Sequence, residues 1–329
     1  MKSYIVTTYG NPEEVVHLQE VDQPKPEGKQ VLVKVKAAPV NDYDWSASSG
    51  LPKSYRLLFG WSKPRKRFQR LGMEVAGIVE ETGPEVTQFK VGDAVYGDTS
   101  DHEFGSFSEY MCVNEKALHI KPERMSFVDA VAIPHAAMLA YEALIDLGKL
   151  GKGQQVLING AGGGMGTFGL QIAKTYDAEV TGVDGAHKFD MMRDHGFDHL
   201  IDYQQEDFTQ NGKQYDLILD AKTNRSPGAY LKSLKPKGKY ISVGGKSGKL
   251  LQLAFFGGVI KLFTGKLFKV LALEPNKYLD KMNEMYEAGA IKPVIDGPHS
   301  FDKVPYLIKY FGDGLHKGKI VITMEEDIL

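Results

Sequence analysis

The chain has 329 residues, 42% hydrophobic and 25% charged, enough for one large or two medium domains with a substantial buried core. Forty basic against 42 acidic side chains leave a net charge of −2, without the basic excess of a general nucleic-acid binder. Cys112 is the single cysteine, which excludes an intramolecular disulfide and any zinc site that needs two thiolates.

Met1 to Val6 reads as a strand with alternating polarity and has no signal or transit character, so a cytoplasmic location is expected. From Gln30 to Ala37, Val31, Val33 and Val35 recur with the period of a half-buried strand. Met73 to Glu80 repeats the pattern before a turn at Thr82-Gly83-Pro84. Val91 to Gly97 and Phe107 to Asn114 add short strands between glycine and aspartate turns. Closely spaced short strands predict a compact, barrel-like β-rich domain.

The middle third changes character. Strands are predicted at Gln155 to Asn159, Glu179 to Val183, His199 to Tyr203, Tyr215 to Ala221 and Lys239 to Val243. Helices are predicted after the glycine cluster Gly160 to Gly166, over Lys188 to His195, and over Ala229 to Leu234. Strand alternating with helix at this spacing implies a doubly wound parallel sheet. Helices at Asn276 to Ala288 and Lys303 to Phe311, with a strand at Lys319 to Met324, are expected to complete the first domain.

The run Gly160-Ala161-Gly162-Gly163-Gly164-Met165-Gly166 lies between a strand and a helix. There the chain must turn tightly, approach a pyrophosphate and offer free N–H groups at a helix N-terminus, which glycine permits. The strict G-x-G-x-x-G pattern is altered, its first position falling on Ala161. A flexible surface loop is the competing reading. Asp184, 18 residues beyond Gly166 at the tip of the next strand, favours a dinucleotide site.

Val40-Asn41-x-x-Asp44, Gly72-Met73-Glu74-Val75-Ala76-Gly77, Phe89-x-x-Gly92-Asp93-x-Val95-x-Gly97, Gly105-x-Phe107-x-Glu109-Tyr110 and Ile133-Pro134 occur in order along the chain. Together with the glycine turn they resemble the medium-chain dehydrogenase/reductase superfamily, in particular its zinc-free quinone oxidoreductase-like branch. The resemblance implies a GroES-like β-rich catalytic domain (1–125 and 273–329) and a Rossmann doubly wound nucleotide-binding domain (126–272). It also implies a cleft where they meet, and a homodimer. Zinc-dependent members carry a histidine where this chain has Met73, and their first cysteine ligand falls near Asn41. A thioether and an amide do not replace imidazole and thiolate, so no zinc is expected. Asp42, Asp44 and Glu74 read as isolated structural carboxylates.

Without a metal, hydride transfer requires an acceptor already polarised by conjugation, such as a quinone or an activated alkene (an α,β-unsaturated carbonyl). The resemblance places Asn41 at the nicotinamide ribose or the acceptor, with Asp44 fixing its loop. Relatives often carry a tyrosine just after Ser49-Gly50. Here the chain reads Gly50-Leu51-Pro52, so Tyr43 and Tyr55 are the nearest proton-donor candidates, with solvent a third. Leu139 replaces a common threonine. Ala161, Gly163, Gly164, Met165 and Gly166, with Gly244 and Gly245, are expected to hold the cofactor. Asp184 argues for NAD(H). His187 and Lys188, with Tyr203 near the adenine and Lys319 as a C-terminal basic residue, tip the balance to NADP(H). A zinc-free alcohol or carbonyl dehydrogenase and a non-catalytic NAD(P)H-binding redox sensor are the rival readings.

Two segments stand apart. Lys63, Arg65, Lys66, Arg67 and Arg70 form a basic run read as a solvated loop, not a nucleic-acid site. Residues 250–273 are rich in leucine and phenylalanine but interrupted by Lys261, Lys266 and Lys269, too short a clean run to span a bilayer. An amphipathic helix that covers the cleft or forms a dimer contact is expected there, with peripheral membrane contact as the alternative.

Overall fold

The computed structural model describes residues 1–324, which divide into two compact units. The first unit comprises Met1–His135, Pro275–Leu279 and the chain from Ile295 onward. The second comprises Ala136–Glu274 and Asp280–Val294. The sequence-based borders at 125/126 and 272/273 therefore move. The first crossing falls after His135, and the helix Leu279–Glu287 lies almost wholly within the second unit instead of closing the first.

The first unit is built on a seven-stranded sheet. Its order is Ile295–Ser300, Lys319–Thr323, Gln30–Pro39, Glu74–Thr82, Ala94–Asp98 and His119–Ile120, with Tyr110–Asn114 also paired to Gln30–Pro39. Only the pair formed by the two C-terminal strands is parallel. Val31, Val33 and Val35 are fully buried, as their alternation predicts, and pack with Val75, Val79, Val95 and Phe107. Each such side chain contributes about 1.5–3 kcal/mol by leaving water. Lys319–Thr323 pairs antiparallel with the end of Gln30–Pro39, Val321 opposite Pro39. That register brings the C-terminal region to the Asn41 turn.

The second unit holds six parallel strands in the order His199–Asp202, Glu179–Asp184, Gln155–Asn159, Tyr215–Asp220, Leu234–Ser242 and Leu267–Val270. Strand order reverses between Gln155–Asn159 and Tyr215–Asp220, the switch point beside which doubly wound sheets bind their ligands. Its core includes Leu157, Val183, Ile218 and a ladder of rings in which Tyr240 stacks on Tyr230 at 4.2 Å and on Phe268 at 5.3 Å. The apolar segment expected as one helix over 250–273 is instead a helix, Ser247–Thr264, and the edge strand Leu267–Val270. Gly265, left-handed at φ +68°, caps the helix and separates them.

Candidate active site

At the end of Gln30–Pro39 the chain turns into the helix Asp42–Ser49, with Asn41 at its N-cap. Asp44 fixes this turn: one carboxylate oxygen accepts the Asn41 N–H at 2.8 Å and the other the Gly72 N–H at 2.7 Å. Gly72 is left-handed, and a Cβ there would lie 2.1 Å from Ser106 Oγ, so the position demands glycine. Burial pushes the Asp44 carboxyl up to about 7, against the two backbone donors that favour its charged form.

Asn41 leads into a buried polar network. Its Nδ2 donates to Glu74 Oε2 at 2.9 Å, while its Oδ1 accepts from Lys319 Nζ at 2.6 Å. Lys319 also donates to Glu74 Oε2 at 2.7 Å, and the second Glu74 oxygen accepts the His135 backbone N–H at 2.8 Å. Glu74 and Lys319 have side chains only 0% and 6% exposed. His135 Nδ1 lies 2.7 Å from Asp98 Oδ2, and Asn276 clamps the Asp98 backbone on both its N–H and its carbonyl. Burial alone would raise the Asp98 carboxyl. The hydrogen bond and charge of His135, with the Ser100 contacts, outweigh it and hold the group below the usual carboxylate range.

Of the expected residues, Asn41 and Asp44 therefore occupy one site. Lys319, expected at the cofactor, joins them, bound to Glu74 in the first unit. Tyr43 stacks on Phe104 at 4.4 Å and packs edge-on against Phe59, its buried hydroxyl without a hydrogen-bond partner. Burial pushes that hydroxyl far up, which opposes proton donation because the phenolate left behind would be desolvated. Tyr55, half-buried, also contacts Phe59 edge-on. His135 and Asp98 were missed. The histidine directly after Ile133-Pro134 and the aspartate directly after Gly97 were the available signals.

In the second unit the glycine turn leaves Gln155–Asn159 and enters the helix Gly164–Lys174, whose N-cap, Gly163, has no side chain to occupy the first-turn N–H groups. Gly166 sits against the Ala161 backbone, where a Cβ would come within 2.4 Å of the carbonyl oxygen. This cradle, with Met165 and Gly164 in the first helical turn, fits a pyrophosphate approached closely by backbone. Asp184 Oδ2 accepts the Gly162 N–H at 2.8 Å and Oδ1 the Gly185 N–H at 2.9 Å. Lys188 is not solvated. It is 3% exposed, its stem lies over Gly162, and its ammonium is 3.4 Å from Asp184 Oδ1. His187 and Tyr203 stand exposed nearby; the His187 ring packs against Gly185, and the Tyr203 N–H donates to the Asp184 carbonyl. Gly244 and Gly245 follow the strand Leu234–Ser242, and a Cβ on Gly245 would lie 2.3 Å from the Thr223 carbonyl oxygen. Asp220, unpredicted, ties these strand ends together by accepting from Tyr240 Oη at 2.6 Å and Asn159 Nδ2 at 2.8 Å.

Residues 27–123 match the family model of the alcohol dehydrogenase GroES-like domain, and residues 195–322 that of zinc-binding dehydrogenases. The chain is 31% identical to 2-methylene-furan-3-one reductase of Solanum lycopersicum, over 98% of this chain and 79% of the relative. It is 29% identical to the chloroplastic NADPH-dependent alkenal/one oxidoreductase of Arabidopsis thaliana, over 98% and 79%. It is 28% identical to the chloroplastic quinone-oxidoreductase QR1 of Triphysaria versicolor, over 92% of each. With its GroES-like unit, its doubly wound nucleotide-type unit and relatives that match 92–98% of its length, the chain belongs to the medium-chain dehydrogenase/reductase superfamily, in its quinone oxidoreductase-like branch.

Proposed function

We propose that the protein is a zinc-independent, NAD(P)H-dependent reductase of quinones and α,β-unsaturated carbonyls. The observation that carries the reading is the Lys319 ammonium seated on both Glu74 and Asn41. A carboxylate already neutralised by an ammonium, beside a committed amide, is a poor donor set for a dication. The acceptor must then be activated by its own conjugation, as in the quinones, alkenals and methylene-ketone named for the relatives.

A reduced nicotinamide, when bound, would supply a hydride, and the glycine cradle of the second unit would hold its pyrophosphate. The new C–H bond forms at the β carbon of an enone, and the resulting enolate takes a proton at its α carbon. Asp44 fixes the Asn41 turn, while Lys319 and Glu74 lock the amide, so no reorganisation is needed when charge develops. His135, anchored through Nδ1 on Asp98 and with a side chain 28% exposed, is the proton-delivering group in this reading. NADPH is the preferred donor, because Lys188 offsets the Asp184 charge that would repel a 2′-phosphate.

Turnover of an ortho-quinone and of a short alkenal, followed by loss of reduced-nicotinamide absorbance with NADPH and NADH, tests this. NADPH should give the higher kcat/KM, and Lys188→Ala should shrink its lead over NADH. His135→Gln should lower kcat more than it raises KM. Absence of turnover with either acceptor, despite tight cofactor binding, would overturn the reductase reading.

A further inference from the structure

The helix Ser247–Thr264 is apolar on two faces. One packs inward through Leu253 and Gly257, the latter so close to Phe268 that a Cβ would lie 2.7 Å from its carbonyl oxygen. The other carries Leu251, Phe255, Phe256, Val259, Leu262 and Phe263, which are 46–80% exposed. At 100° per residue these six fall within an arc of roughly 140°. Isolated exposed leucines are ordinary, but six large apolar side chains on one strip need a cover. No helix among the described residues is long and apolar enough to cross a membrane.

Charge identifies the cover. From Ala221 to Leu273 the chain contains no aspartate or glutamate, but ten lysines and one arginine; the remainder carries 29 basic against 42 acidic residues. Lys246 precedes the helix, Lys249 lies beside the edge of the apolar strip, and Lys269 is exposed on the strand that follows. Some of these cations are committed internally: Lys235 pairs with Asp216, and Lys266 donates to the Leu231 and Leu234 carbonyls. A second copy of the chain is a poor occupant, since a two-fold contact would press an acid-free face flanked by Lys246 and Lys249 against itself.

We propose that this face docks onto an anionic phospholipid surface. The helix lies in the interface plane, the phenylalanine strip enters the acyl boundary, and Lys246 and Lys249 meet headgroup phosphates.

Flotation of the full chain with phosphatidylcholine vesicles, with and without roughly one-third phosphatidylglycerol, is the test. The protein should float with the anionic vesicles only, and should be released by high salt. Lys246→Glu with Lys249→Glu should weaken binding by more than about fivefold per lysine. Phe255→Ser, Leu262→Ser and Phe263→Ser together should weaken it by more than about tenfold while leaving quinone turnover in solution unchanged, which shows the variant is folded. Failure to float, or flotation undiminished by the triple substitution, overturns the proposal. So does a dimer that the triple substitution converts to monomer without any flotation of the parent, which would assign the strip to a second copy.

Discussion

Replacing Lys319 by methionine isolates the contribution of the buried ion pair. Methionine retains most of the lysine stem but removes the ammonium that lies 2.7 Å from Glu74 and 2.6 Å from Asn41 Oδ1. Glu74 keeps two donors, the Asn41 amide and the His135 N–H, but has lost its counter-charge at a site with 0% side-chain exposure. Removing one partner of a buried pair costs about 3–5 kcal/mol, because the other charge stays desolvated and unpaired. Solvent screening cannot soften this much, since Lys319 itself is only 6% exposed. For a unit of about 175 residues, each kcal/mol shifts the midpoint by roughly 2–4 °C, so a fall of roughly 6–20 °C is expected. Differential scanning calorimetry measures it. Glu74→Gln combined with Lys319→Met should recover at least half of the loss, because the glutamine carries no charge to strand. A single variant melting within about 1 °C of the parent, or a double variant no better than the single, would refute the assignment of Lys319 to Glu74.

Two further outcomes follow from the same geometry. Gly166→Ala puts a methyl 2.4 Å from the Ala161 carbonyl oxygen, so the turn must open; calorimetric titration with NADPH should show at least a tenfold loss of affinity, roughly 1.4 kcal/mol, with the fold retained. Asp44 is held near 7 in the folded chain against an ordinary value of 3.8, so the native state binds the extra proton between those limits. Its contribution to stability is therefore full below about pH 4 and falls, by at most about 4 kcal/mol, as the pH rises through about 7. Denaturant titrations across that window should show the gap between the parent and Asp44→Asn shifting against the parent with rising pH; parallel curves would contradict a buried, proton-retaining Asp44.

The second unit was the more legible in the sequence, for a physical reason. A doubly wound sheet repeats a local grammar of apolar strand, turn and helix, and each strand from Gln155–Asn159 to Leu234–Ser242 is announced by its own residues. The segment after Gly245 broke that grammar. Its helix is apolar on both faces, so periodicity alone did not separate it from the edge strand Leu267–Val270, and only Gly265 marks the break. In the first unit the strands were legible from alternation, but the π-helical turn Glu142–Leu147 in the second and the short helix Phe127–Ala132 in the first left no comparable periodic signal.

The site was legible in its parts and hidden in its assembly. Asn41, Asp44 and Glu74 lie in motifs readable along the chain, yet the counter-charge of their network is Lys319, 278 residues beyond Asn41. Only the antiparallel register of Lys319–Thr323 on Gln30–Pro39 brings that ammonium to the turn. No spacing rule along the chain encodes such a contact. Lys188 is likewise engaged within the fold. As a residue at the start of a helix it looks free to bind a phosphate, but in the fold its stem covers Gly162 and its charge rests on Asp184. Asp184 and Lys188, which the sequence sets on opposite sides of the cofactor choice, thus form one clamp on the glycine turn. In the proposed function, the NADPH preference rests on a 2′-phosphate competing with Asp184 for Lys188, so it is a property of the pair and not of either residue alone.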